Sequence, residues 1–154
     1  MLRNGLVRRG AIAAFADRVI ERFKVKCGGA GSAAFSLSGG NLQKFIVGRE
    51  IALAPKVMVL AQPTWGVDIG AAMLIRQAII DMRDQGVAVL VISEELDELF
   101  MMCDRIAVLA KGRLSPAVPA AQATVNQVGV WMSGDFSTAS DVNANQEGSC
   151  HVPA

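Results

Sequence analysis

An α/β fold with a mostly parallel sheet is predicted by three features of this chain of 154 residues. The short unbroken apolar runs Val57-Met58-Val59-Leu60 and Val87 to Ile92 read as strands buried on both faces, as parallel strands are. Segments of helical periodicity alternate with these runs, which is the order of an α/β sheet. The composition, 52% hydrophobic and 19% charged, suits a sheet covered by helices.

Taken in order, Ile12, Phe15, Ala16, Val19, Ile20 and Phe23 recur at helical spacing, with Arg18, Glu21 and Arg22 opposite. They predict an amphipathic helix from Val7 to Phe23. Arg3, Arg8 and Arg9 before an apolar stretch raise the question of a signal peptide, but Asp17 and Arg18 end that stretch too early. Cys27 to Phe35 is rich in Gly, Ala and Ser and predicts a loop. Ser38 opens a second helix through Phe45, Ile46, Ile51 and Leu53, which Pro55 stops. After the strand Val57–Leu60 comes a turn at Gly66-Val67-Asp68. A helix from Ala71 to Arg83 follows, ended by Gly86.

Beyond the strand Val87–Ile92, Leu96, Leu99, Phe100 and Cys103 mark a further helix. Arg105 to Leu109, a turn at Ala110-Lys111-Gly112 and Arg113-Leu114 predict a strand and its return. A last helix is expected within Ala121 to Met132. From Gly134 onward Ser, Asn, Asp and Gly dominate and predict disorder. The expected organisation is a helical subdomain over 1–54, an α/β core over 55–133 and a tail over 134–154.

The net charge of +1 excludes nucleic acid as an expected main partner. The apolar runs are far too short to span a bilayer. Three cysteines, Cys27, Cys103 and Cys150, form no CxxC pair, which suggests reduced thiols in a cytosolic protein. Glu94, Glu95, Asp97 and Glu98 read better as a solvated helix start than as a metal cluster. No metal-ligating residue is assigned.

The most informative run is Leu37-Ser38-Gly39-Gly40-Asn41-Leu42-Gln43-Lys44. Two glycines behind a serine at a helix start allow close backbone approach, and unpaired amides with the helix dipole favour an anion. Taken alone, Ser38 also reads as an ordinary N-cap and the glycines as a turn. The succession of segments downstream is more specific: an apolar strand, Ala61-Gln62-Pro63-Thr64, Gly66-Val67-Asp68, a second strand, then Glu95-Leu96-Asp97-Glu98.

On these motifs the chain resembles the ATP-binding cassette family over about residues 6–133, in particular the second nucleotide-binding domain of fused double cassettes that energise sugar and nucleoside uptake. The resemblance implies a partial P-loop NTPase-like parallel sheet flanked by helices, preceded by a helical subdomain. It implies that Leu37–Lys44 is the signature motif of that family and that Ser38, Gly39, Gly40 and Gln43 in it contact the terminal phosphate of ATP held by a facing cassette. Asp68 takes the position of the D-loop acid reaching across the same interface; by itself it also reads as a turn-forming Asp before Gly70.

The departures matter as much. Active relatives end the first strand in Asp-Glu, an acid that helps hold hydrated Mg²⁺ and a base that polarises water. Here Ala61 offers no ligand. Gln62 cannot take a proton, and a lost general base costs about 10²–10⁴-fold. Glu94 stands where relatives carry a switch histidine, and a carboxylate there would repel the phosphate. No catalytic residue is therefore assigned. The Ala-Gln pair resembles the degenerate site of the nucleoside branch. Trp65 stands where relatives often carry Arg, for stacking at an interface or for packing in the loop.

No GxxxxGK[ST] phosphate loop occurs in the sequence. The chain is therefore expected to start inside the domain and to lack the Walker A portion. The implied setting is an importer of nucleosides or simple sugars. It includes ATP and Mg²⁺ in the complete transporter, a partner nucleotide-binding domain, membrane permease subunits and an extracytoplasmic binding protein. The chain would sit in the cytoplasm, peripheral on the inner face of the cell membrane. Two alternatives stay open: an ATPase in which Glu94 or Asp68 replaces the lost base, and a truncated remnant that binds no nucleotide.

Overall fold

The computed structural model describes residues 2–3 and 6–136, with side chains over 8–136. Most of the expected tail lies outside the described residues. The chain divides into two compact units, 1–94 and 95–154, so the expected boundary near Pro55 falls within the first unit.

The first unit opens with a short antiparallel pair, β1 (Leu2–Arg3) and β2 (Leu6–Val7). Helix α1 spans Arg9–Arg22 and α2 spans Gly39–Ala52. Their contact centres on Phe23, 1% exposed, against Gly48: a Cβ at Gly48 would stand 2.5 Å from the Phe23 ring. Only glycine lets the ring lie so close to the α2 backbone. Val19, Val47 and Ile51 complete this part of the core.

Strand β3 (Val57–Ala61), helix α3 (Ile69–Asp84) and strand β4 (Ala88–Ile92) follow. The strands pair in parallel, in register from Val57 opposite Ala88 to Ala61 opposite Ile92. This α/β arrangement with a parallel sheet is the one expected. Asp68 caps α3, and Gly86 follows its end at φ +86°.

Met58 and Leu60 are buried together with Ala71, Ile75, Ala78, Ile79 and Met82. The opposite face departs from the expectation of strands covered on both sides. Val57, Val59, Leu90 and Ile92 are 65%, 62%, 55% and 53% exposed. A parallel pair with one apolar face in water is a template for association. The purified chain is expected to form concentration-dependent oligomers in size-exclusion chromatography, which Val59→Lys with Leu90→Lys should reduce. A single sharp monomer peak at all concentrations would contradict this.

The second unit holds α4 (Leu96–Met102), β5 (Arg105–Ile106), β6 (Leu109–Ala110), β7 (Arg113–Leu114), β8 (Val118–Pro119) and α5 (Val125–Met132). The single strand expected over Arg105–Leu109 is instead two pieces. β5 pairs with β8, and β6 pairs with β7 around Lys111 and Gly112, both at positive φ. Trp131, Val128, Ile106, Val108 and Val118 form its core. Thr124 caps α5 through Gln127 N–H at 3.1 Å.

Glu98 is 1% exposed, against the expectation of a solvated acid, because it shares the inward face of α4 with Met102. Cys27 and Cys103 are free thiols. Burial, helped by Asp104 and Glu98, raises the Cys103 pKa and keeps the thiol protonated. Cys150 lies outside the described residues.

Candidate functional site

Helix α2 begins at Gly39 with Ser38 at its N-cap, extended at φ −64° and ψ 155°. The Ser38 carbonyl accepts from Leu42 N–H at 2.9 Å. The side chain makes no capping bond to the backbone. Ser38 Oγ accepts instead from Asn41 Nδ2 at 2.9 Å, so Ser38 is not a side-chain cap of the ordinary kind. Ser38 and Gly39 are exposed, and first-turn amides have no partner inside a helix. At Gly40 a Cβ would meet the Gly66 carbonyl oxygen at 2.9 Å. The first turn of α2 thus lies directly against the loop that leads to Asp68, and only glycine fits there.

Three polar side chains of α2 fasten this turn to its surroundings. Asn41 Oδ1 accepts from Lys26 N–H at 2.9 Å. Lys44, 7% exposed, donates from Nζ to the Lys24 carbonyl at 3.1 Å, and Lys24 itself sits at φ +50°. Gln43 Nε2 donates to the carbonyls of Gln62 and Pro63, each at 3.1 Å. The amide nitrogen of Gln43 is therefore engaged within its own unit, as a brace to the end of β3.

Ala61 is the last residue of β3, opposite Ile92 at the end of β4. Gln62 follows at φ +48°, with its N–H donating to the Ile92 carbonyl at 2.8 Å. Ser93 Oγ lies 3.4 Å from Gln62 Oε1. The parallel register therefore brings Ala61, Gln62 and the segment carrying Glu94 to the carboxyl ends of adjacent strands, where ligands of open α/β sheets bind. Glu94 is exposed.

Asp68 Oδ1 accepts from Ala71 N–H at 2.9 Å. That bond, with help from the Lys44 and Lys26 charges, holds the Asp68 carboxyl below its usual pKa. Asp68 thus has a structural task as the cap of α3. Trp65 is 77% exposed in the preceding loop.

Hydrated Mg²⁺ is held through carboxylate oxygens. Ala61 supplies none and Gln62 supplies an amide, so this strand end does not fit the ion. Among the described residues no group of three or more His, Cys, Asp or Glu is placed to hold a metal. A cleft of about 660 Å³ lies elsewhere in the first unit, lined by Arg22, Ile51, Lys56, Asp81 and Gln85 among others; none of the signature residues lines it.

The sequence carries no local mark of the bonds that Asn41 and Lys44 make. Their spacing of three along α2 places them on one side of the helix, but their shared partner, the strip Lys24–Lys26, is remote in sequence.

No family profile matches the chain. The fold is that of an ATP-binding cassette. An ATP binding subunit of an ABC transporter matches with a TM-score of 0.68 at 16% identity, covering 84% of this chain and 57% of that one. The dimeric cassette MJ0796, in a post-hydrolysis state bound to ADP and Pi, matches with 0.65 at 21% identity, covering 77% and 51%.

The chain belongs to the nucleoside, ribose and sugar import ATP-binding proteins of the ABC type. The nucleoside import ATP-binding protein NupA of Lactococcus lactis is 41% identical over 134 residues, 87% of this chain. The guanosine import ATP-binding protein NupO of Bacillus subtilis is 38% identical over 84% of the chain, and the ribose import ATP-binding protein RbsA of that organism 38% over 81%. The chain spans about a quarter of the length of these relatives, 26%, 26% and 25% respectively. Among the described residues no helix is long and apolar enough to cross a membrane.

Proposed function

We propose that this chain supplies the signature face of an ATP-binding cassette in an importer of nucleosides or simple sugars, while its own strand end is silent. The observation that carries the reading is the Ser38-Gly39-Gly40 turn, exposed at Ser38 and Gly39 and braced through α2 onto the end of a strand whose last residue is Ala61 and which Gln62 follows. Residues 1–54 act as the signature-bearing helical subdomain and 55–133 as part of the nucleotide-binding core.

ATP is the substrate. It is held by a partner nucleotide-binding domain, whose terminal phosphate the Ser38 hydroxyl and the Gly39 and Gly40 amides contact. Asp68 stands at the same interface. Permease subunits and an extracytoplasmic binding protein complete the assembly, with this chain on the cytoplasmic face of the membrane. The nucleoside branch is favoured by the Ala61-Gln62 pair and by the resemblance to NupA and NupO.

A second reading, an interacting segment that binds no nucleotide, is favoured by the exposed apolar row Val57, Val59, Leu90 and Ile92.

The purified chain alone should release no phosphate from ATP. Ala61→Asp with Gln62→Glu should not rescue it, because the acids return without a loop to cradle the β- and γ-phosphates. Phosphate release and isothermal titration with Mg·ATP test both. Nucleotide affinity in the double variant would mean that a phosphate site exists elsewhere in these residues.

A further inference from the structure

We propose that Asn41 is a positioning residue of the signature turn: it holds the Ser38 oxygen as an acceptor, so that the Ser38 proton is left to donate to the terminal phosphate of ATP on the partner cassette. The proposal rests on the signature-lending reading above.

The assignment follows from donors and acceptors. The Lys26 backbone N–H can only donate, so the Asn41 atom 2.9 Å from it is the amide oxygen. The other terminal atom is then Nδ2, which can only donate, and it lies 2.9 Å from Ser38 Oγ. The choice between the two flips of the amide is thereby made by a main-chain group outside the helix. Ser38 Oγ is the acceptor in that bond, and its one hydrogen is not consumed by it. Among the described residues the Ser38 side chain makes no other hydrogen bond. Ser38 is exposed and directly precedes the Gly39 and Gly40 amides, so its proton is free to turn toward solvent at the helix start.

The strip that fixes Asn41 is itself fixed. Lys44, one turn further along α2, donates to the Lys24 carbonyl at 3.1 Å. Lys24 and Lys26 are thus tied to α2 at two points, and the Asn41 amide has little freedom to swing. A hydroxyl oriented before the ligand arrives needs no reorganisation when it donates.

The test uses the assembled cassette pair containing this chain, with Ser38→Ala, Asn41→Asp, Asn41→Leu and each Asn41 change combined with Ser38→Ala. Asn41→Asp keeps the acceptor for Lys26 N–H but offers a second acceptor to Ser38, which then turns its proton inward. Asn41→Leu removes both bonds and leaves the hydroxyl merely unheld. ATP hydrolysis and ATP-dependent association of the two cassettes by sedimentation are read side by side.

Ser38→Ala and Asn41→Asp should each lower kcat/KM by roughly 10- to 100-fold, the value of one hydrogen bond to a charged group. Asn41→Leu should fall less. In the Ser38→Ala background both Asn41 changes should be silent, because the group they act through is gone. A charge effect of the new aspartate would persist there and multiply with Ser38→Ala; that result, or near-wild-type Asn41→Asp beside an impaired Ser38→Ala, overturns the positioning role and leaves the lending reading standing. Wild-type behaviour of Ser38→Ala overturns the lending reading itself. Melting curves check folding. If Asn41→Asp does not fold, the Asn41→Leu pair decides: silence on Ser38→Ala supports the role, and an independent loss overturns it.

Discussion

Ser38→Arg is expected to reduce ATP hydrolysis by the assembled cassette pair by on the order of 10²-fold or more. Ser38 is exposed at the start of α2 with its oxygen held by Asn41. Arginine removes the hydroxyl donor and fills the space in which, on the proposed function, a facing phosphate would dock. Gln62→Ala in the same pair should change the rate by no more than a few-fold. The main-chain bonds of Gln62, from its N–H to Ile92 and from Gln43 to its carbonyl, do not use its side chain. Its side chain has no base to offer either. The contrast separates a site lent to a partner from a site of the chain's own. If both variants hydrolyse ATP at near-wild-type rates, the lending reading is wrong and the interacting segment remains.

Phe23→Ala should cost about 3–5 kcal/mol of stability, the usual cost of emptying a buried aromatic position. Phe23 is 1% exposed and lies between α1 and α2. Gly48→Ala should also destabilise, by about 1–3 kcal/mol, because its Cβ would stand 2.5 Å from the ring. The two losses should not add. With the ring gone, the new methyl enters the vacated space and refills part of it, so the double variant should be more stable than the sum predicts. Denaturant unfolding of all three variants measures the coupling. Strict additivity would mean that the Phe23–Gly48 approach does not limit packing there. The consequence reaches the site, since α2 carries the signature turn at its N-terminus.

The order of the elements was legible because it rests on local signals. Apolar runs placed β3 and β4, helical spacing placed α1 and α3, and Pro55 and Gly86 marked ends close to those observed. Relatives at 41% and 38% identity bear out the resemblance that the signature run and its sequel suggested. The strand expected over Arg105–Leu109 failed for a physical reason. Its alternating apolar residues satisfy two different partners, β8 and β7, and the run carries no mark of where one pairing gives way to the other. Glu98 is buried because it lies four residues before Met102 on the inward face of α4, a placement its charge does not reveal.

By itself the sequence determined the fold class, the place of Ser38-Gly39-Gly40 at a helix start, and the absence of a carboxylate at Ala61 and Gln62. Each depends on neighbouring residues or on side-chain chemistry alone. Only the tertiary structure decided what the polar side chains of α2 do. Asn41 reaches Lys26 and Gln43 reaches Gln62 and Pro63, 15 to 20 residues away. It also decided which face of the parallel strands lies bare. A hydrogen-bond donor can serve many acceptors, and an apolar strand either face. The choice is made by which segments folding brings within about 3 Å, and no local pattern records that distance.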